Sequence, residues 1–157
     1  MRRHKMINIR EIRIGDIITK ENKCEGYKYS IVEGIDNISG TIRHREVYED
    51  EGSQMAISSY EDMSPYPLSI GLLKANGWQT SNVENDLLGD FETITIELRP
   101  SAEFDNAFSP ILLPSFSRNL REAMFIMYEI DSVHELQALL DMWKVRDMFN
   151  VRVKIKP

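Results

Sequence analysis

The feature that most constrains the fold is a change of hydrophobic period within residues 131–155. Ser132 suits the N-cap of a helix, and Glu135 follows at capping-box spacing. From Phe149 onward strict alternation predicts a strand with one buried and one basic face. A helix and a strand so close together must bury their apolar faces on the same core. The helix presents an apolar arc of about 120° formed by Val133, Leu136, Leu139, Leu140 and Trp143.

Length and composition fit one globular domain or two small lobes. The chain has 157 residues, of which 42% are hydrophobic and 28% charged. It holds no apolar run near the roughly 18 residues of a membrane span, and its basic start lacks the apolar segment of a secretory signal. The single cysteine, Cys24, excludes an internal disulfide and favours a reducing compartment. We therefore expect a cytoplasmic protein, of a bacterium or of an infected host.

The distribution of charge bears on the kind of partner. Residues 46–105 carry two Lys/Arg against thirteen Asp/Glu, whereas residues 1–45 carry ten against six and residues 106–157 carry seven against six. Non-specific nucleic-acid binding needs a dominant basic surface, which the acidic middle of the chain disfavours. A solvated acidic face is the ordinary interpretation of such a stretch, although an acidic surface can also mimic nucleic acid.

The first half of the chain predicts an antiparallel sheet of three or four short strands. Strands this short and this close together are typical of a β-meander or a small SH3-like barrel. We expect a flexible tail over residues 1–7, a meander or small-barrel portion over 8–62 and a sheet-plus-helix portion over 64–157, the last two sharing one core. The predicted strands are 14–18, 27–32, 41–47 and, as a short fourth one, 55–58.

The second half predicts further strands and the longer C-terminal helix. Residues 91–98 have a strong β bias, and the apolar run 124–130 predicts a central strand. Between them, three prolines indicate an irregular connection with one short edge strand at 111–113. The fold class is therefore α+β, mainly antiparallel, with an SH3-like N-terminal meander. The C-terminal helix is expected to pack on a sheet built from 91–98, 123–130 and 149–155.

Residues 69–78 carry the sharpest local signal in the chain. Ser69 is a suitable cap for a short helix over 70–76, and Gly77 is placed as the residue that ends it. Trp78 would then be the apolar residue that packs back on Leu73 in a Schellman motif.

Three segments in order, IRIGDII, PYPLSIGLLKANGW and IDSVHELQALL, resemble a group of short proteins from gut Bacteroidetes and their phages or prophages. That group shows a Leu-Arg-Ile-Gly-Asn start, a Pro-Ile-Pro-Leu-Thr segment leading to a Gly-Phe pair, and a Val-His-x-Leu-Gln segment. This chain departs from the pattern at Asp16, Tyr66, Ser69 and Trp78, where the group has Asn, Ile, Thr and Phe. The resemblance implies a mobile-element origin and a cytoplasmic setting, and it implies no activity.

The polar side of the last helix supplies the candidate binding residues. His134, Gln137 and Asp141 fall within about 60° of one another on a helical wheel. They could hold a ligand, or His134 and Asp141 could share a metal with a third group. They could equally form a solvated stripe or brace a loop. We expect His134 to stay partly accessible, and we add Trp78 to the candidate set.

Other candidates have simpler interpretations. Alternation places His44 on the opposite strand face from Arg43 and Arg45, which favours an exposed strand edge over a phosphate-binding cluster. Cys24, near several lysines, is interpreted as a free surface thiol because no second cysteine or histidine pattern accompanies it. Four tyrosines could line an open face of the first sheet or be partly buried there: Tyr27, Tyr29, Tyr60 and Tyr66.

No motif for catalysis, cofactor binding or a metal site is present in the sequence, so we name no catalytic residue, cofactor or metal. The favoured function is a non-enzymatic phage- or prophage-type accessory protein that binds a host macromolecule, most simply a host protein. One alternative is a small-molecule or nucleotide-sequestering protein that uses the His134 and Gln137 side. Another is a nucleic-acid-associated protein that uses basic residues near both ends, namely Arg43, Arg45, Arg152, Lys154 and Lys156. The oligomeric state is left open.

Removing residues 1–6 should leave stability unchanged, because this basic start has no periodic pattern and a second methionine, Met6, precedes a more regular sequence. Thermal denaturation of the truncated and full chains should give melting temperatures within about 2 °C of each other. A fall of several degrees would show that the tail contributes to the fold.

Overall fold

A computed structural model describes residues 6–50, 52–81, 86–91, 94–114, 124–125 and 128–142. These residues form two compact units that divide between Tyr66 and Pro67. Each unit is built on an antiparallel sheet with short helices, so the predicted class of mainly antiparallel strands with a few helices is confirmed. The predicted strand at 149–155 and the predicted core residue Trp143 lie outside the described residues.

The first unit contains a five-stranded sheet in the order β4-β3-β2-β1-β5. All neighbouring strands are antiparallel, and the chain passes through a 3₁₀ helix, Tyr60–Asp62, between β4 and β5. Two register shifts between β2 and β3, at Tyr27/Tyr29 and Val32/Gly34, bend β2 and increase its twist. The strands are β1 Ile17–Lys20, β2 Tyr27–Asp36, β3 Thr41–Tyr48, β4 Ser53–Ser59 and β5 Met63–Pro65.

The core of this unit lies on one face of the sheet. Ile42 of β3 is fully buried, whereas Arg43, the next residue, is exposed, as strand alternation requires. Tyr60 of the 3₁₀ helix packs at the margin of the same cluster. The buried apolar residues are Ile7, Ile12, Ile18, Val32, Ile42 and Met63.

The described residues of the second unit form another five-stranded sheet, in the order β10-β9-β8-β7-β6. Two helices accompany it in the same described residues, α1 Ile70–Ala75 and α2 Val133–Met142. The strands are β6 Gln79–Thr80, β7 Leu87–Phe91, β8 Ile94–Pro100, β9 Phe108–Pro114 and β10 Met124–Phe125. The fully buried large side chains of this unit include Leu68, Leu73, Leu87, Ile96, Leu98, Phe108, Leu112 and Ile130.

The predicted short edge strand at 111–113 was wrong. β9 is a seven-residue strand paired with β8 and β10 rather than a short edge strand. Because Pro110 and Pro114 are an even number of residues apart, their missing N–H groups fall on one side of the strand and leave the other side complete. β10, the described start of the run 124–130, pairs with β9. The central position of this run stays a prediction, because its other expected neighbour, 149–155, lies outside the described residues.

The predicted end of helix α1 is confirmed. Ser69 accepts a hydrogen bond from the Leu72 N–H at 3.0 Å, and Gly77 has a φ of 90°. The N–H of Trp78 donates to the Leu73 carbonyl at 3.0 Å, and that of Gly77 donates to the Lys74 carbonyl at 3.1 Å. These two bonds define a Schellman motif, which satisfies carbonyls that the helix itself leaves without a donor.

Gly77→Ala should lower the free energy of unfolding by about 1 kcal/mol, because a Cβ is disfavoured at positive φ. No atom lies within 4 Å of the Cβ that would be added, so the cost is conformational and not steric. Urea denaturation of the variant measures it.

Gly71→Ala is the matched control, since Gly71 lies inside α1 with equally open space around its added Cβ. Alanine is a better helix residue than glycine, so this variant should be as stable as the parent or more stable, by up to about 1 kcal/mol. Equal losses in both variants would contradict the assigned role of Gly77.

Candidate functional site

The structure buries most of the candidate residues that the last helix supplies. His134 is 6% exposed and Gln137 is fully buried, while Asp141 is partly exposed. The expectation that His134 stays accessible was therefore wrong. The helical wheel counted only apolar residues as inward-facing, whereas α2 is buried over a wider arc that includes polar side chains. Trp78, at the end of α1, is 5% exposed.

The two predicted capping residues, Ser132 and Glu135, bond to each other at the start of α2, but through their side chains and not in the capping-box pattern. The Ser132 hydroxyl donates a hydrogen bond to the Glu135 carboxylate at 2.7 Å, and the Asp131 N–H donates to the same oxygen at 3.2 Å. Burial, together with the neighbouring Asp131, raises the pKa of Glu135. These polar groups at the helix start therefore have a structural role, since they satisfy one another where the chain enters the helix.

His44 is the polar residue that the sequence interpretation placed wrongly. It is fully buried in β3, which pairs with β2 on one side and β4 on the other, so it does not lie at an exposed edge. Its Nδ1 atom lies 2.9 Å from the Ser30 hydroxyl, and its Nε2 atom lies 2.9 Å from the Ser58 hydroxyl. Alternation with buried Ile42 would have indicated that His44 faces the core.

The chemistry of His44 follows from these contacts. Burial lowers its pKa, so the imidazole is neutral at physiological pH and offers one donor and one acceptor nitrogen. One serine hydroxyl must therefore donate to the ring while the other accepts from it. The Ser30 hydroxyl also lies 2.7 Å from the Tyr27 hydroxyl, which extends the network to the start of β2. The arrangement links three strands through one side chain.

Glu46, two residues further along β3, is the second buried polar group on this face. It forms an ion pair with Lys20 of β1 and accepts a hydrogen bond from the Gln54 amide of β4 at 3.2 Å. Burial opposes the charge on Glu46, but these two partners outweigh it and hold its pKa below the usual value. The Lys20 ammonium also lies 4.8 Å from the Tyr27 ring centroid, a cation–π distance.

Strand β4 forms one edge of the first sheet, and its outer side is exposed. It pairs with β3 over seven residues without a register shift, and among the described strands it pairs with no other. Met55 is 44% exposed and Ile57 is 72% exposed. Both lie on the face opposite to Gln54 and Ser58, which bond inward to Glu46 and His44. Side-chain bonds on the inner face thus hold β4 in position, while no described strand pairs with its outer edge.

Acidic side chains stand at both ends of this edge. Glu49 and Asp50 lie in the turn that precedes β4, and Glu61 and Asp62 lie in the 3₁₀ helix that follows it; all four are exposed. The strand between them, Ser53–Ser59, carries no charged residue. The edge therefore presents an uncharged centre between two negative ends.

A separate surface groove lies at the turn between β2 and β3. It has a volume of about 570 Å³ and is open to solvent. Tyr60 forms one wall and approaches Gly40 so closely that an added Cβ there would lie 3.2 Å from the ring. Arg10 is its charged lining residue. The remaining lining residues are Asn8, Ile9, Asn37, Ile38, Ser39 and Gly40.

In the second unit, two carboxyl groups share a site with one arginine. The Arg99 Nε atom lies 3.2 Å from Asp86 and 3.7 Å from Glu97. A hydrogen bond with Asp86, together with burial and repulsion from the same carboxylate, raises the pKa of Glu97 to about 7, although Arg99 opposes the shift. Because Leu87 pairs with Leu98, adjacent β-strands bring these three side chains together. Sequence spacing alone did not indicate this pair.

No family model, curated protein or solved structure matches the chain. Within the described ranges, no group of three or more His, Cys, Asp or Glu side chains is arranged to hold a metal ion. None of the described helices is long and apolar enough to cross a membrane. Cys24 is exposed and free, as expected.

Replacing Glu97 with glutamine should reduce the loss of stability that the parent protein shows at high pH. The raised pKa means that the folded state holds a proton between about pH 4.5 and 7 that the unfolded state releases, so the contribution of Glu97 to stability falls as pH rises through this window. In the Glu97→Gln variant this side chain no longer titrates, so the loss of stability with rising pH is removed. The free energy of unfolding, measured by urea at pH 4.5 and pH 8, should therefore fall less with pH in the variant than in the parent.

Glu103→Gln is the control, because Glu103 lies in an exposed loop of the same unit. This substitution changes the net charge by the same amount as Glu97→Gln. It should follow the pH dependence of the parent. If Glu97→Gln and Glu103→Gln gave identical pH profiles, the carboxyl pair would have no energetic consequence.

Proposed function

We propose that this is a non-enzymatic binding protein that adds an extended segment of another protein to the exposed edge of strand β4. This proposal rests on one observation: β4 is a regular seven-residue strand at the edge of the described sheet, with Met55 and Ile57 exposed. The resemblance to mobile-element proteins supports a phage- or prophage-type accessory protein whose partner is a host protein. Cytoplasm is the proposed setting, and the partner is a macromolecule.

The edge offers the backbone groups that strand addition requires. An edge strand leaves alternate N–H and C=O groups unpaired on its outer side, and another chain can pair with them. Natural proteins usually protect such edges with short strands, charges, prolines or bulges. β4 has none of these within Ser53–Ser59, whereas β5, at the other end of the same sheet, has three residues and ends at Pro65.

Side chains on β4 add specificity to this backbone pairing. Met55 and Ile57 point to the outer face of the sheet, where a paired strand would place its own side chains beside them. On the inner face, the bonds of Ser58 to His44 and of Gln54 to Glu46 hold the strand in register. An edge held in a fixed position loses less conformational entropy when a partner binds.

A small-molecule binder is the second candidate, and the groove beside Tyr60 favours it. Its volume of about 570 Å³ falls within the range of ligand sites, and Arg10 could pair with an anionic group. The groove is open, however, and such sites normally enclose most of the ligand. The edge of β4 is therefore a stronger basis for a proposed function than the groove. The nucleic-acid alternative is weakened because Arg45 is paired with Glu33 at 2.7 Å.

We also propose a more specific description of the fold of each portion. The order β4-β3-β2-β1-β5, with a 3₁₀ helix before the last strand, supports an SH3-like first portion over residues 8–62 that extends to the end of β5 at Pro65. The buried side chains of α2, Val133, Leu136, Leu139 and Leu140, support a longer C-terminal helix packed on the sheet of a portion over residues 64–157. The division between Tyr66 and Pro67 is consistent with these two portions.

Peptides selected for binding should pair with β4 and should lose affinity when that edge is charged. We would select binders from a displayed library of random 12-residue peptides and follow amide hydrogen exchange along the chain. The selected peptide should slow exchange within residues 53–59. The double variant Met55→Lys, Ile57→Lys should weaken its binding by about tenfold or more, because lysines on an edge oppose strand addition.

Ile14→Lys is the control for an added exposed lysine elsewhere in the same unit, since Ile14 is 59% exposed but precedes β1. It should bind the selected peptide as the parent does. Binding that survives the double variant, or protection that falls outside β4, would contradict the proposed function.

A further inference from the structure

We propose that the segment taken up by β4 has an uncharged, apolar centre with Lys or Arg at both of its ends. This inference rests on the proposed function and specifies the chemistry of the partner. It follows from the charges that flank the edge, from the absence of charge within it and from the spacing between its ends.

The two ends of the edge have the same sign. Glu49 and Asp50 lie before β4, and Glu61 and Asp62 lie after it, all of them exposed. Exposed charges act mainly within a Debye length, about 8 Å at physiological salt, so each acidic pair affects only the nearest end of an added strand. Because both ends are acidic, a basic-ended segment is favoured whether it binds parallel or antiparallel to β4.

The same charges disfavour a second copy of this chain as the occupant. The strand has a roughly palindromic character about Ala56, since Met55 and Ile57 would face each other across a two-fold axis. Self-pairing would nevertheless bring acidic ends against acidic ends in either orientation, and like charges in register are destabilising. The sequence of β4 would permit a dimer, but the acidic residues at both ends of the strand oppose one.

The arginines of β3 do not reverse this preference. Arg45 is bonded to Glu33 and also donates to the Ser53 hydroxyl at 3.3 Å, so its charge is already compensated. Arg43 lies across Gly34 of β2, where an added Cβ would be 3.3 Å from its Nε atom. A strand added beyond β4 would lie two strand spacings from β3, about 10 Å, where exposed charges are largely screened.

The length of β4 sets the spacing of the basic residues. Seven residues at about 3.4 Å each span roughly 24 Å. The partner segment therefore needs an uncharged core of about seven residues between its two basic ends, with apolar side chains at alternate positions on the face that meets Met55 and Ile57.

Three synthetic peptides test this directly on the full chain. Each has a seven-residue core of alternating Thr and Val, with Lys-Lys, Gln-Gln or Glu-Glu at both ends. At about 0.05 M salt the lysine-ended peptide should bind about tenfold or more tightly than the glutamate-ended one, and the ratio should fall to about threefold or less at 0.5 M salt. Titration calorimetry gives the dissociation constants, and amide exchange over residues 53–59 confirms the place of binding.

The outcomes separate the two proposals. If all three peptides protect β4 with equal affinity, the charge inference is overturned while the edge remains the binding site. If none of them protects β4, and the library yields no peptide that does, the proposed function is overturned as well. Sedimentation equilibrium adds one check, because a dimer of the parent that the Met55→Lys, Ile57→Lys variant abolishes would identify a second copy as the occupant and overturn the inference.

Discussion

The first sheet depends on the burial of two ionisable side chains, His44 and Glu46, on the inner face of β3. A buried polar group is costly unless it is hydrogen-bonded, and a buried charge requires a partner. Lys20 of β1, Ser30 of β2, and Gln54 and Ser58 of β4 meet these requirements. A slip of β3 by one residue would turn Arg43 and Arg45 inward and leave every partner without its bond. The polar network therefore fixes the register of four strands.

This network also explains how an exposed edge strand is held in a fixed register. Among the strands that the structure describes, β4 pairs with a neighbour on one side only, and that pairing has no register shift. Two of its side chains, Gln54 and Ser58, bond into the buried network, and a third, Ser53, accepts a bond from Arg45 on the outer face. The strand is thus tied to β3 by side chains on both faces. The described bonds that fix β4 therefore all come from β3, and none of them uses the outer side of its backbone.

Local signals could be read from the sequence, whereas those that depend on tertiary context could not. The end of α1 was predicted correctly because Ser69, Gly77 and Trp78 act within one short segment. The burial of His44 and His134 was missed, since both were judged by their polarity while their neighbours decide the face they occupy. The edge position of β4 could not be predicted because strand order is set by long-range pairing. The same reason hid the contact of Asp86 with Glu97 and Arg99.

Glu46 in the first unit and Glu97 in the second respond to pH in opposite directions. Glu46 has a lowered pKa, so its contribution to stability is present above the usual carboxyl range and is lost as pH falls through the folded value. Glu97 has a raised pKa, so its contribution is present at low pH and declines as pH rises towards about 7. The difference lies in the partner with the larger effect on the pKa, the Lys20 ammonium for Glu46 and the Asp86 carboxylate for Glu97. A fall in pH from about 7 to 4.5 therefore relieves the repulsion in the second sheet, whereas the network that holds β4 loses the contribution of Glu46 only below the usual carboxyl range. Each unit thus has its own pH dependence.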